Sequence, residues 1–558
     1  MRDLKSDLQK LWQKLYPNKS SELLDSFILE LEGFKNGLKL NDNPDTEWYK
    51  NAVVYSLYVD LFNKDFDGLT DKLSYLEKLG VSCIWLLPIL DSPMRDAGFD
   101  ISDYRKVRSD LLGQKGDKSF LEFLKEAHKK NIRVIFDIAI NHSSDQHEWF
   151  KKSASSQKNK YTDYYIWSDD GKQYSDCRLL FKGMVDSNWE KHENGKYYFH
   201  RFFEFQPDLN YRNPEVLLDM CRNLMFWIEK GVDGFRADAI PYLWKEEGTD
   251  CENLDNTHVI VKFFRKVTDF LNPEIILLAE ACQPPKEVVK YMGDGDECHA
   301  GYNFPLMPQI FKSMSMQNAE PIKNVLSTAV TPEIPAESQW FTFLRCHDEL
   351  SLELVYVNEE DRKYIHENYC HKTEWDFRLG EGISARLSEL FEFNIDKIIQ
   401  AFSIMLSLTG TPIIYYGDEF GKPNDKEFYQ SQIKITGHND TRNLVRGRIN
   451  WDKLEARLSD SKSFEYKVYS ALRTMINIRN NNKTITQGSL HYNNQNPSLL
   501  YFNKKNDKEE FIFIHNMSDK IVNLDENLVL SYTTIFGDLL KNEGNISIEP
   551  FKTVWLKN

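Results

Sequence analysis

The sequence predicts an α/β fold: a (β/α)₈ TIM barrel with a subdomain inserted after its third strand, a short helical N-terminal segment and a C-terminal all-β sandwich domain. Three observations carry this. Short β-rich apolar runs alternate with amphipathic helices through the middle of the chain, the pattern of βα units on a parallel sheet. Eight such runs can be counted between residues 53 and 419. Ionisable residues stand where several of the runs end, and in a parallel barrel those ends share one face.

Residues 1–48 read as helical, because Leu8, Leu11, Trp12 and Leu15, then Leu23, Leu24, Phe27, Ile28 and Leu31, recur at helical spacing. The barrel is expected over 49–142 and 213–484. VVYSLYVDLF (53–62) fits a first buried strand, and Thr70 is the expected cap of a helix carrying Leu73, Leu76 and Leu79 that Gly80 ends. VSCIWLLP (81–88) and IRVIFDIAI (132–140) fit the second and third strands. Residues 143–212 are rich in Lys, Ser, Asp and aromatics with little periodicity, and read as the inserted subdomain. Asn213 and Pro214 then open a helix with Leu217, Cys221, Leu224, Met225 and Ile228 on one face, closed by Gly231. Five further strands fit 232–238, 274–280, 299–304, 339–348 and 411–419, with a polar and aromatic insertion at 349–393 after the seventh. From 485 to 558, short runs such as SLLYFNKK and EEFIFIHNM are separated by Asn, Asp and Gly, the texture of a small sandwich.

With 558 residues, 41% of them hydrophobic, the chain can bury a large core. A net charge of −15 argues against nucleic acid as a partner. The charged opening MRDLKSDLQK and the lack of any apolar run near membrane-spanning length predict neither export nor a membrane association, and so a cytoplasmic protein. Eight cysteines without CxxC or zinc spacing read as reduced, mostly buried thiols.

The chemistry sits at the strand ends. Asp137, Asn141 and His142 close the third strand, Arg236 and Asp238 the fourth, Glu280 the fifth, and His347 with Asp348 the seventh. One Asp at a strand end is ordinarily a helix cap or a loop hydrogen bond. Four strand ends carrying carboxylates and cations are an active-site cup. Retaining cleavage of a glycosidic bond needs one ionised carboxylate to attack and one protonated carboxyl to assist departure. Arg236 beside Asp238 favours its ionised form, and the apolar run before Glu280 raises its pKa as a proton donor requires.

These segments resemble the signature regions of glycoside hydrolase family 13, the α-amylase family. DIAINH (137–142), GFRADAI (234–240), LLAEA (277–281) and FLRCHD (343–348) look like its four regions, and QPDLN (206–210) like the extra region of enzymes acting on small α-glucosides. The resemblance implies Asp238 as nucleophile, Glu280 as acid/base and Asp348 as the carboxylate gripping glucosyl hydroxyls. Arg236, His142 and His347 would hold the glucosyl unit. It implies no cofactor.

Within the family, residues 234–254, DGDECHAGYNFPLMPQI (294–310) and HDEL (347–350) resemble trehalose synthases, while YVDLF (58–62) and NDTRNLVRGRINW (439–451) resemble amylosucrases and sucrose hydrolases. In the latter an Asp and an Arg seal the base of the glucosyl pocket, which here would be Asp96 and Arg442. Phe99 takes the place of a stacking Tyr. Trehalose synthases have a calcium-ligand Asp where Gly183 aligns, and Asn141 alone cannot hold calcium, so no metal is expected. The first reading is a retaining hydrolase or transglucosylase acting on the terminal glucose of sucrose, maltose or a related small α-glucoside. The second is a trehalose synthase, and the third a catalytically dead amylase-like binding domain.

Overall fold

The structure is a computed structural model describing residues 2–181, 183–493, 496–525, 531–542 and 545–558. Its centre is the expected barrel. Eight parallel strands, β1 (Val54–Leu57), β2 (Cys83–Leu86), β3 (Arg133–Ala139), β4 (Gly234–Asp238), β5 (Ile276–Ala279), β6 (Ala300–Tyr302), β7 (Gln339–Phe343) and β8 (Thr411–Tyr415), close into one ring. They are buried almost end to end, which is why they read as continuous apolar runs and not as alternating ones.

The helices between them follow local chemistry. The Asn213 side chain accepts the Glu215 N–H, Pro214 takes the first turn, and Gly231 ends the Pro214–Lys230 helix at φ 96°. Gly80 ends Leu73–Leu79 in the same left-handed way. Thr70 does not cap that helix. It lies inside a short preceding helix, Phe66–Asp71, whose cap is Asp65, and its hydroxyl donates back to the Phe66 carbonyl. An Asp just upstream offers the stronger acceptor for free N–H groups, so the chain turns one helix earlier than the apolar spacing indicates.

The N-terminal residues form α1 (Arg2–Leu15) and α2 (Glu22–Gly37). Both pack on the barrel helix Asp255–Leu271, with Phe27 stacked on Phe263 at 6.3 Å. Leu24, Phe27, Ile28 and Leu31 face inward, but Leu23 is exposed, outside the stripe that one helical face can bury.

Three excursions rise above the C-terminal face of the barrel. A hairpin after β2, Leu90–Asp91 with Asp103–Val107, was not expected from the sequence, and its tip carries Asp96 and Phe99. After β3, strands Trp167–Ser168, Tyr197–Phe199 and Trp189–Lys191 form a small sheet. A single bridge from His142 to Asp208 ties the QPDLN segment to the end of β3, and one from Tyr165 to Leu209 ties it to the excursion itself. After β7, a third small sheet and the helix Glu359–Tyr369 fold over the same face.

At the C-terminus a five-stranded sheet faces a three-stranded one. The larger sheet has two apolar faces. Leu499, Tyr501, Ile512 and Ile514 face the small sheet, while Leu500, Phe502, Phe511, Phe513 and Trp555 join the barrel core. Among the described residues no helix is long and apolar enough to cross a membrane. All eight cysteines are free thiols and six are buried.

Candidate active site

Strand register builds the site. In the β3–β4 ladder Asp137 stands beside Arg236 and Ala139 beside Asp238. In the next ladder Ala279 pairs with Ala237, so Glu280 emerges one residue beyond, its N–H donating to the Ala237 carbonyl. Ala239 is held at φ +56°, a costly conformation for a residue with a Cβ, and its N–H then reaches Glu280 Oε2 at 2.9 Å. All nine residues singled out in the sequence, Asp96, Phe99, His142, Arg236, Asp238, Glu280, His347, Asp348 and Arg442, line one cavity.

Arg236 is its electrostatic centre. The guanidinium donates to Asp137 and to Asp238 Oδ1 at 2.8 Å, lies 3.9 Å from Glu280 Oε1, and donates to the Tyr302 hydroxyl at 3.1 Å. Trp85 covers its face at 5.2 Å and donates its indole N–H to Asp137. Burial raises both Asp238 and Glu280 to about 7, against the pull of Arg236. The expectation that Arg236 simply keeps Asp238 ionised therefore needs correction, because in a dry pocket desolvation outweighs one shared cation. Arg236 contacts Asp238 more closely than Glu280, so of the two carboxyls Asp238 has the nearer stabilising cation.

Asp348 is set differently. Burial opposes its ionisation, but His347 at 3.0 Å, Arg442 at 3.2 Å and Arg446 at 3.3 Å hold it well below the usual carboxylate range. Burial also keeps His142 and His347 neutral, at about 4 and about 3. Phe99 stacks on the His347 ring at 5.6 Å, and Gln206 donates to Asp96 and contacts His142. The expected Asp96–Arg442 contact is present at 3.5 Å, yet Arg442 grips Asp440 more closely, at 2.8 Å.

Beside the cavity the excursions after β3 and β7 and the loop after β4 exchange charged contacts. Arg178 donates to Glu252 at 2.8 Å and approaches Glu353 to 4.0 Å, and Arg378 reaches Glu353 at 3.5 Å. Arg201 and Gln283 also converge on Glu252, at 2.7 and 3.0 Å. Phe181 lies under both Arg378 and Arg442. Glu349, one residue past Asp348, is pushed up to about 7 by burial and the neighbouring Asp348 charge.

A family model for the alpha-amylase catalytic domain matches residues 34–495. This chain belongs to the α-amylase family. The trehalose synthase/amylase of Mycolicibacterium smegmatis is 45% identical over 389 residues, covering 68% of this chain and 64% of that protein. The chain thus spans less than two thirds of the length of the relatives it matches first. A trehalose synthase of a Pimelobacter strain is 41% identical over 394 residues, 68% of this chain and 67% of its own. A solved family GH13_31 enzyme superposes with a TM-score of 0.72 over 92% of this chain and all of its own, at 22% identity, which speaks for the fold.

In this α-amylase family member the junction behind the pocket holds an internal cation. Lys245 Nζ lies 2.7 Å from both Asn141 Oδ1 and Asp208 Oδ2, with the three groups fully buried. Its ammonium neutralises Asp208 at the place where the sequence comparison weighed calcium. Cys346, His347 and Asp348 present donors within 4.8 Å of one another. Two arginines already neutralise that carboxylate, so the trio needs no ion. Sequence reasoning did not find Arg178, Glu252, Glu353, Arg378, Asp440, Arg446 or Lys245. Glu353 and Arg446 lie four residues from Glu349 and Arg442, a spacing that could have flagged them. Asp440 stands two residues before Arg442. Arg178 and Glu252, and Lys245 and Asn141, meet across 70 or more residues of sequence, and Arg378 stands in a segment without periodicity.

Proposed function

We propose that this protein cleaves the α-glucosidic bond of a small α-glucoside with retention and returns the glucosyl unit to the released sugar inside the closed pocket, interconverting maltose and trehalose. Asp238 attacks the anomeric carbon of the terminal glucose while Glu280 gives its proton to the departing glycosidic oxygen. A covalent glucosyl-Asp238 results. Asp348, Arg442 and Asp96 hold the sugar at the base, and His142, His347 and Phe99 flank it. Glu280, now a carboxylate, takes a proton from the incoming hydroxyl, which attacks the same carbon and frees Asp238. If the released glucose turns so that its anomeric hydroxyl enters in place of its 4-hydroxyl, maltose becomes trehalose. If water enters, glucose is the product.

One observation carries the isomerase reading above the hydrolase reading: Arg178 of the first insertion stands 4.0 Å from Glu353 of the second, which lines the cavity and meets Arg378 at 3.5 Å, a charged contact beside the pocket that favours retention of a released sugar over entry of water. The 45% identical relative named trehalose synthase/amylase and the 41% identical one named trehalose synthase support it. Hydrolysis or transfer from sucrose- or maltose-like donors shares every step up to the intermediate. Incubation of pure protein with maltose, trehalose, sucrose and soluble starch, with products resolved by chromatography, separates these readings. The expected result is trehalose from maltose and maltose from trehalose, with minor free glucose. Fructose from sucrose as the fastest reaction, or glucose as the sole product from maltose, overturns the isomerase. Asp238→Asn is expected to abolish all conversions, and unchanged turnover by that variant would sink the enzymatic mechanism itself.

A further inference from the structure

The row of strand ends that carries the two reacting carboxyls has a third member. Ala237 pairs with Ala279 and Leu278 with Ala300, Ala279 with Gly301, so the residues that follow on β4, β5 and β6 are Asp238, Glu280 and Tyr302. Tyr302 lines the same cavity and is buried. Its ring is fixed by Phe304 and Phe343, each edge-on at 5.4 Å, and by Trp85 at 6.0 Å. A phenylalanine would fill that space as well. What tyrosine adds is one oxygen, and that oxygen accepts the Arg236 Nε–H at 3.1 Å.

A guanidinium is a rigid plane with five N–H donors, so holding one edge aims the others. Nη1 donates to Asp137 and, at 2.8 Å, to Asp238. Nη2 stands 3.9 Å from Glu280 Oε1, too far for a hydrogen bond. The cation is therefore bonded to the nucleophile of the proposed mechanism and held short of its acid. Trp85 on β2 and Phe99 on the hairpin after β2 cover the guanidinium at 5.2 and 5.8 Å. The other charged and titratable groups facing this centre are Asp96, His142 at the end of β3, His347, Asp348 and Glu349 beyond β7, and Arg442 beyond β8, with Arg446 behind Asp348. Among the described residues none of these accepts a hydrogen bond from Arg236, which leaves Tyr302 as the group that fixes its Nε edge.

We propose that Tyr302 is a positioning residue that acts through Arg236, keeping the guanidinium on Asp238 and away from Glu280. The assignment rests on the retaining mechanism proposed above, in which Asp238 attacks as a carboxylate and Glu280 donates a proton. Without the hydroxyl, the Nε–H is stranded in a dry site, which is costly. Turning about Nη1 brings Nη2 onto Glu280 and recovers a hydrogen bond. Glu280 then gains a cation and gives up its proton at lower pH, while Asp238 loses part of its cation and takes up a proton at higher pH.

The test is Tyr302→Phe in the full chain, with kcat/KM measured across pH on whichever of maltose, trehalose and sucrose the native protein turns over fastest. The alkaline limb is expected to move to lower pH and the acid limb to higher pH, each by about half a unit or more. At the optimum kcat is expected to fall on the order of tenfold with KM within about twofold of native. Phe304→Leu is the packing control, since Phe304 touches the same ring and carries no oxygen. It is expected to lower the melting temperature and leave both limbs in place. Tyr302→Met, which also lacks the hydroxyl, repeats the measurement if the Phe variant does not fold. Limbs that stay put in the variants lacking the hydroxyl, or that move equally in Phe304→Leu, overturn the role of Tyr302. Full turnover by Asp238→Asn overturns the retaining mechanism itself, whereas unmoved limbs beside an inactive Asp238→Asn overturn only the role of Tyr302.

Discussion

Burial, more than any single neighbour, sets the protonation of Asp238 and Glu280, and this makes the pH response predictable. In the proposed mechanism cleavage needs Glu280 protonated and Asp238 ionised. As pH rises through about 7, Glu280 loses its proton and the first step slows; as pH falls, Asp238 becomes protonated and attack fails. A bell-shaped kcat/KM profile with its maximum near neutrality is expected, its two limbs belonging to the coupled pair. Replacing Glu280 with Gln is expected to flatten the alkaline limb of whatever activity remains, which steady-state kinetics across pH measures directly. At the base of the pocket Arg442 serves Asp440, Asp348 and Asp96 together. Arg442→Ala would leave three buried carboxylates short of a cation. Disaccharide kcat/KM is expected to fall on the order of a hundredfold, roughly 3 kcal/mol. Faster turnover of long maltodextrins than of disaccharides by the unmutated protein would contradict a sealed base.

Among the elements, the two insertions touch where Arg178 of the first lies 4.0 Å from Glu353 of the second, a carboxylate that Arg378 also reaches. Glu353→Ala removes the shared carboxylate and leaves two guanidinium groups facing each other. The ratio of glucose to trehalose formed from maltose is expected to rise several-fold with the cleavage rate largely kept, as a time course of products would reveal. The lysine at the β3–β4 junction makes a different kind of contribution. Lys245→Ala strands Asp208 in a buried site, and a stability loss of about 3 kcal/mol is expected in denaturant unfolding. Added calcium is not expected to restore it, since Gly183 supplies no side-chain oxygen and Asn141 is one ligand of the six or more that calcium needs. The insertions themselves were visible in the sequence as stretches without periodicity. Their mutual contact was not, because an ion pair between separate loops leaves no local pattern.

At the scale of the molecule, the C-terminal sheet is part of the barrel's structure. Trp555 is fully buried, packs against Phe513 and donates its indole N–H to Ser403 on the barrel helix Ile395–Ser407. Trp555→Ala is expected to cost about 3–5 kcal/mol and to lower the melting temperature of the barrel along with that of the sheet. Two separate transitions in calorimetry, with only one shifted by the substitution, would refute this coupling. The sequence by itself determined the barrel and the strand-end residues of the pocket, because apolar period and strand-terminal chemistry are local properties of a chain, while Asp96, Phe99 and Arg442 were reached through the family resemblance. Local too, yet misread, was Thr70, where a better cap prevailed. Only the tertiary structure decided that burial raises both Asp238 and Glu280, that Lys245 sits between Asn141 and Asp208, and that charges of the two insertions meet beside the pocket. Those depend on strand register and on loops meeting across tens to hundreds of residues, where charge, burial and distance act through space and not along the sequence.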